Sequence, residues 1–289
     1  MSSSVQNYLS LVKFSHTLFA LPFALIGFFM ATSYYHYDYS WSLFVYVLLC
    51  MVFARSAAMA FNRYIDRDID AANPRTVVRE IPAGTIEPQS ALWFVVANCV
   101  LFVGVTWFIN PLCFWLSPVA LAVILGYSYT KRYTSWCHFV LGLGLSLAPL
   151  GAFLAVTGEF SEWLPLFYSA AVLLWVSGFD IIYALQDEDF DKLNNLHSIP
   201  SKIGTSDALK LSTRLHIGTA LLIVTAGVYA SFGILYWIGT AIFLGLLYYQ
   251  HTLVKPNDLS KVNLAFFTTN GIASVTFAFF VLLEFFVNA

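Results

Sequence analysis

Two short stretches of this sequence hold acids at a spacing that chemistry can use. In Asn62-Arg63-Tyr64-Ile65-Asp66-Arg67-Asp68-Ile69-Asp70, the residues Asn62, Asp66 and Asp70 recur at i, i+4 and i+8. On a helix these side chains share one face. The second stretch, Asp180-Ile181-Ile182-Tyr183-Ala184-Leu185-Gln186-Asp187-Glu188-Asp189-Phe190-Asp191, aligns Asp180, Tyr183, Asp187 and Asp191 in the same way. Oxygen donors in this abundance suit Mg²⁺, a hard cation that keeps some waters and prefers a few carboxylates together with substrate phosphates. Two such helix ends facing each other could hold one diphosphate between metal ions. Asp68, Glu80, Glu87, Glu188 and Asp189 fall off this spacing and read as charges that solvate a rim.

The stretches also resemble each other. Asn62, Asp66 and Asp70 are matched by Tyr183, Asp187 and Asp191 at an offset of 121 residues, and each set leads to an Ile-Pro, at Ile81-Pro82 and Ile199-Pro200. Two further charges sit inside apolar segments: Asp180, about two turns above its loop, and Arg55. Partial burial of either is costly without a partner. They can satisfy each other as a salt bridge, or they can meet an anionic substrate with Mg²⁺.

The elements that must position these residues are membrane helices. Of 289 residues, 59% are hydrophobic and 10% charged, a composition outside that of soluble domains. Nine apolar stretches, at roughly 14–34, 41–61, 89–109, 112–130, 138–157, 164–186, 212–231, 233–251 and 264–287, approach the ~20 residues needed to cross a ~30 Å hydrocarbon core. They are continuously apolar, unlike the alternating strands of a membrane barrel. The sequence predicts an all-α polytopic membrane protein in one domain over 1–289, built as two parallel four-helix repeats plus one helix. The first stretch is too long for a signal peptide and has no small-residue cleavage site, so it reads as a helix of the mature protein. Cys50, Cys99, Cys113 and Cys137 stand singly and read as small core residues.

With a cytoplasmic N-terminus, Lys13, Arg63, Arg67, Arg75, Arg79, Lys131, Arg132, Lys192, Lys202, Lys210, Arg214, Lys255 and Lys261 all lie on the cytoplasmic side. The opposite connections, around 36–40, 110, 158–162 and 231, contain no lysine or arginine. The positive-inside rule then puts the C-terminus outside and both acid stretches at cytoplasmic helix ends of an inner (cytoplasmic) membrane protein.

At this point the residues resemble a family. Asn62 to Asp70 is similar to the first aspartate-rich motif, NDxxDxxxD, of the UbiA superfamily of intramembrane prenyltransferases, and Asp180 to Asp191 matches its second, DxxYxxxDxxxD, at every specified position. The resemblance extends to Tyr127-Ser128-Tyr129-Thr130-Lys131-Arg132 and to the nine-helix plan. Arg63 departs from the pattern, standing where many members carry aspartate, and this removes one candidate carboxylate. The resemblance implies a Mg²⁺-diphosphate site of Asn62, Asp66, Asp70, Asp180, Asp187 and Asp191. Arg75 and Lys131, with Arg55, would bind the departing diphosphate, and Asp66, Asp187, Asp191 and Lys131 would carry the catalysis. Tyr127, Tyr129 and Tyr183 are candidates to face an allylic cation.

The reaction so implied joins a polyprenyl diphosphate to a small aromatic acceptor of quinone biosynthesis, within the lipid bilayer and with no nucleic-acid partner. The segment His16-Thr17-Leu18-Phe19-Ala20-Leu21-Pro22-Phe23 looks like that of quinone-pathway members, where this helix lines the acceptor pocket. The sequence is similar both to 4-hydroxybenzoate polyprenyltransferases and to enzymes that prenylate 1,4-dihydroxy-6-naphthoate, and the Asn62-Arg63 pair with the His16 segment favours the naphthoate type. A secondary transporter is the competing reading, although its sites usually lie near the midplane at broken helices. A phosphatidyltransferase would need an Asp-Gly…Ala-Arg…Gly signature that is absent before the acids. A purely structural subunit needs none of the doubled acid pattern.

Overall fold

The computed structural model describes residues 2–12 and 19–287, with the side chains of 2–5 also outside the description. His16 and Lys13 lie outside the described residues. The described chain is almost wholly helical: α1 (Ser2–Leu11), α2 (Leu21–Phe29, continued as a π-helix over Met30–Tyr34), α3 (Trp41–Ile65), α4 (Arg67–Ala72), α5 (Pro88–Trp107), α6 (Pro111–Thr130), α7 (Cys137–Thr157), α8 (Leu164–Ala184), α9 (Glu188–Leu193), α10 (Ile199–Tyr229), α11 (Ile234–Leu253) and α12 (Asn270–Val287, preceded by a π-helix over Leu264–Thr269).

Local chemistry sets most helix starts. Ser40 caps α3 by accepting from the Leu43 N–H, and Asn110 caps α6 by accepting from Cys113 N–H at 2.8 Å. Prolines 88, 111 and 165 sit in first turns, where no backbone N–H is required. Gly158 closes α7 in the left-handed region at φ 72°, which its missing Cβ permits.

Seven helices among the described residues are long and apolar enough to cross a membrane: α3, α5, α6, α7, α8 with its extension, α10, and the unit Leu264–Val287. The unit Leu21–Tyr34 is shorter, starting after Phe19 and Ala20, and residues 14–18 of the predicted span lie outside the described residues. The α11 helix is less apolar, ending in Tyr248-Tyr249-Gln250-His251.

The ring closes on itself. The α3 helix packs on α5, α5 on α6, α6 on α7, α7 on α8, α8 on α10, α10 on α11, α11 on α12, and α12 returns to α2, which also packs on α7. Small residues allow the tightest of these contacts: a Cβ added at Gly27 would lie 2.0 Å from the Pro149 carbonyl oxygen, and one at Gly142 2.5 Å from that of Leu173. In lipid, where apolar burial gives helices little reason to associate, such close backbone approach supplies packing that larger residues would prevent. Phe23, Trp175, Phe179, Phe243 and Phe277 fill the centre, and the Trp175 indole donates to Asn270 Oδ1 at 3.0 Å.

The two polar segments expected to be loops carry the internal repeat in their backbone. The α4 helix, Arg67–Ala72, and the α9 helix, Glu188–Leu193, stand 121 residues apart at both ends. Asp66 and Asp187 are their N-cap residues, and Asp70 and Asp191 occupy the same turn of each. The second segment is more ordered than a loop. A capping box between Ser198 and Ser201 starts α10 at Ile199, 13 residues before the predicted span, and Gly204 (φ 80°) kinks the helix where it meets the apolar run.

Candidate functional site

One cavity of about 600 Å³ lies between α3, α6, α7 and α8. Its mouth is polar, formed by Asn62, Asp66, Asp70, Arg75, Lys131, Asp180 and Asp187. Its wall then runs through apolar residues as far as Cys113 and Leu154, at the opposite ends of α6 and α7, and Ile109 in the connection before α6. At 1.5 Å per residue, the stretch of α3 from Asp66 to Val47 covers roughly 28 Å, most of a membrane's hydrocarbon thickness.

Every acid of the two motifs is joined to a base from elsewhere in the fold. Asp66 accepts from the Asn62 amide at 2.9 Å and lies 3.3 Å from Arg132 Nη2. Asp70 is gripped through both oxygens by Arg79 Nη1, at 2.7 and 2.9 Å. Asp187 accepts from Arg75 Nε at 3.0 Å, from Arg75 Nη2, and from the Asn73 amide at 3.2 Å. The third Arg75 nitrogen donates to the Tyr183 hydroxyl at 2.9 Å, and the Tyr183 ring stacks on Phe266. Asp191 is fully buried, 2.7 Å from Lys131 Nζ, and sits behind the cavity wall. Adjacent residues 131 and 132 thus bind one motif each, and the His197 N–H donates to the Lys131 carbonyl to hold that corner in place.

Asp180 does not pair with Arg55. It accepts from His138 Nδ1 at 2.7 Å. The tautomer follows from geometry: His138 Nε2 accepts from the Ile199 N–H at 3.2 Å, which leaves Nδ1 to carry the proton. The alternative Arg55–Asp180 salt bridge is not formed. Arg55 lies on the cavity wall, with Nε and Nη2 buried and without hydrogen-bond partners. Tyr127 lines the cavity, whereas Tyr129 is 43% exposed and does not.

Among the described residues, no three His, Cys, Asp or Glu side chains converge as a ready-made metal cage. The donor chemistry fits Mg²⁺ all the same. Asn62, Asp66, Asp70, Asp180 and Asp187 offer hard oxygens to one cavity, and Mg²⁺ binds through one or two carboxylates plus substrate phosphates rather than through an all-protein cage. Burial, with Asp70 adding to it, pushes the Asp66 carboxyl up to about 6, against the opposing pull of Arg132, Lys131 and Arg79. A cation beside it would relieve that cost.

Sequence reasoning missed His138, Asn73 and Arg79. Nothing in their spacing marks them, since each reaches its acid across a turn or from another helix. Arg132 had a signal in its adjacency to Lys131. Of the acids read as rim, Asp68 is 83% exposed, while Glu188 pairs with Lys192 one helical turn on.

Comparison with known proteins follows the same lines. The model of the UbiA prenyltransferase family matches residues 20–283. A 4-hydroxybenzoate octaprenyltransferase of Nitrosospira multiformis is 31% identical over 81% of this chain and 80% of its own length. One of Aliivibrio fischeri is 31% identical over 82% of each. Among solved structures, a UbiA homolog from Aeropyrum pernix shares 28% identity at a TM-score of 0.81, over 94% of this chain and 98% of its own. A UbiA homolog from Archaeoglobus fulgidus bound to DMAPP and Mg²⁺ shares the fold, at a TM-score of 0.77 and 20% identity, over 98% of this chain and all of its own.

Proposed function

Since the chain belongs to the UbiA prenyltransferase family, we propose that it transfers a polyprenyl group from polyprenyl diphosphate to a carboxylated aromatic acceptor of quinone biosynthesis, in a Mg²⁺-dependent reaction. The observation that carries this is a cavity that joins a charged mouth to an apolar wall of membrane length. A diphosphate fits the mouth, and an insoluble tail fits the wall.

Asn62, Asp66 and Asp70 from one repeat, with Asp180 and Asp187 from the other, would hold the metal, and Asp191 behind the wall would act through Lys131. When bound, Mg²⁺ supplies Lewis-acid neutralisation of the diphosphate leaving group. Arg75 and Lys131, held by Asp187 and Asp191 in the ligand-free protein, stand within reach of the same phosphates and stabilise the charge that builds on them. The ring faces of Tyr127 and Tyr183 are available to the allylic cation. The apolar wall would limit water at that cation.

Arg55 favours the acceptor over the diphosphate. Seven residues from Asn62 on α3, it lies about 10 Å deeper than the mouth, a permanent cation without an anion. A carboxylate on the aromatic ring would satisfy it, and both 4-hydroxybenzoate and 1,4-dihydroxy-6-naphthoate carry one. The names of the relatives support the first acceptor. The Asn62-Arg63 pair and the His16 segment support the second.

The reaction is tested with purified protein, a polyprenyl diphosphate, Mg²⁺ or EDTA, and each acceptor, with products read by mass spectrometry. A prenylated ring that disappears with EDTA and in Asp66→Ala or Asp187→Ala supports the proposal and selects the acceptor. No product from folded protein with either ring and any chain length refutes it, and transport assays against an ion gradient would then take precedence. The charge asymmetry of the loops supports a cytoplasmic mouth in an inner membrane, with the N-terminus cytoplasmic and the C-terminus outside.

A further inference from the structure

Arg63 is the residue that departs from the first motif, and its surroundings give it work. Its side chain is 5% exposed, its Nε is buried without a hydrogen-bond partner among the described residues, and it nevertheless lines the cavity. Its charged surroundings are Arg79, Asp70 and Glu80. Asp70, seven residues on and on the same stripe, is committed through both oxygens to Arg79. Glu80 accepts only from the neutral Ser10 hydroxyl and forms no ion pair with Arg63 among the described residues.

Charge counting over the cavity wall makes the point general. Four acids line it, Asp66, Asp70, Asp180 and Asp187, against the five arginines and lysines Arg55, Arg63, Arg75, Arg79 and Lys131, with His138 beside them. Each of the four acids already holds a base: Arg132, Arg79, His138 and Arg75 respectively. Lys131 holds Asp191. Arg55 and Arg63 are left over. Arg55 is too deep for a group anchored at the mouth, whereas Arg63 lies next to Asn62 at the mouth itself.

An arginine cannot shed its charge, and a buried cation that has acids nearby but no ion pair of its own is a liability to the fold unless an anion arrives. We propose that Arg63 is a metal-independent anchor for the diphosphate, its guanidinium forking onto phosphate oxygens at a position where an aspartate would need a cation to do so. This deepens the proposed function and rests on it in one respect, that the anion received at the mouth is a diphosphate.

The test is titration calorimetry of inorganic pyrophosphate into the full-length protein in detergent, first in EDTA and then in Mg²⁺, with thermal unfolding of each ligand-free variant alongside. Wild-type protein is expected to bind pyrophosphate in EDTA, Arg63→Met to bind it at least tenfold more weakly, and Arg63→Lys, which keeps the charge but not the fork, to fall between. Ligand-free Arg63→Met should melt above wild type, because the uncompensated charge is gone, and pyrophosphate should raise its melting temperature less. A merely structural arginine would give the opposite shift.

Equal pyrophosphate affinity in wild type and Arg63→Met, or a lowered melting temperature in Arg63→Met, overturns the proposal. If wild type binds pyrophosphate only with Mg²⁺, the anchoring role falls while the diphosphate reading stands. If it binds under neither condition, the reading beneath it falls as well.

Discussion

The bridge from Arg75 to Asp187 ties the loop after α4 to the turn after α8, and so joins the two acid motifs across the cavity mouth. It is bidentate, and Arg75 adds a third hydrogen bond to Tyr183. The arginine side chain is 31% exposed and the aspartate 10%, so the pair falls between a surface pair, worth at most about 1 kcal/mol, and a buried one, whose rupture costs about 3–5 kcal/mol. We place their coupling at about 2 kcal/mol in the ligand-free protein, after allowing for screening at the arginine. A double-mutant cycle of Arg75→Ala, Asp187→Ala and the pair measures it, with unfolding by SDS in mixed micelles followed by circular dichroism in EDTA. If Arg75 turns to phosphate and Asp187 to metal when substrate binds, saturating Mg²⁺-pyrophosphate should bring the coupling below about 0.5 kcal/mol, the limit for independent sites. Coupling under that limit without ligand would refute the bridge, and coupling that ligand leaves unchanged would refute its opening.

Other expectations follow from single residues. Asp66 stays protonated up to about pH 6 when folded, whereas an unfolded carboxyl ionises near ~3.9. Between those values the folded protein holds a proton that the unfolded chain has released, so in EDTA its stability should fall by about 3 kcal/mol as pH rises through the window. The difference between wild type and Asp66→Asn isolates this slope, and a flat difference from pH 4 to pH 6.5 would show the assignment to be wrong. Arg55→Met should raise KM for the aromatic acceptor by about tenfold to a hundredfold, the equivalent of one charged hydrogen-bonded contact, and leave KM for the prenyl diphosphate unchanged. A rise confined to the prenyl diphosphate would return Arg55 to the leaving group. Gly27→Ala should cost about 1–3 kcal/mol or more, since its Cβ would meet the Pro149 carbonyl at 2.0 Å, whereas Gly104→Ala, with nothing within 4 Å, should be neutral in the same SDS titration.

Hydropathy alone determined that this chain is helical and lives in a membrane, because a backbone in hydrocarbon must satisfy its own hydrogen bonds and long apolar runs leave a helix as the solution. Spacing alone determined which acids belong together, since i, i+4 and i+8 are neighbours on any helix, and the repeat at 121 residues is visible both in the sequence and in the paired short helices α4 and α9. What the tertiary structure decided is who meets whom. Asp180 pairs with His138 and not with Arg55, because α7 and α8 pack side by side and the start of α10 fixes the imidazole from its other side. Sequence marks Arg55 by its apolar setting and Arg63 by its place in the first motif, but only the packing shows both buried, facing the cavity and without an ion pair among the described residues. Partners across helices depend on the rotation and depth of each helix, quantities that the pattern within one helix does not contain.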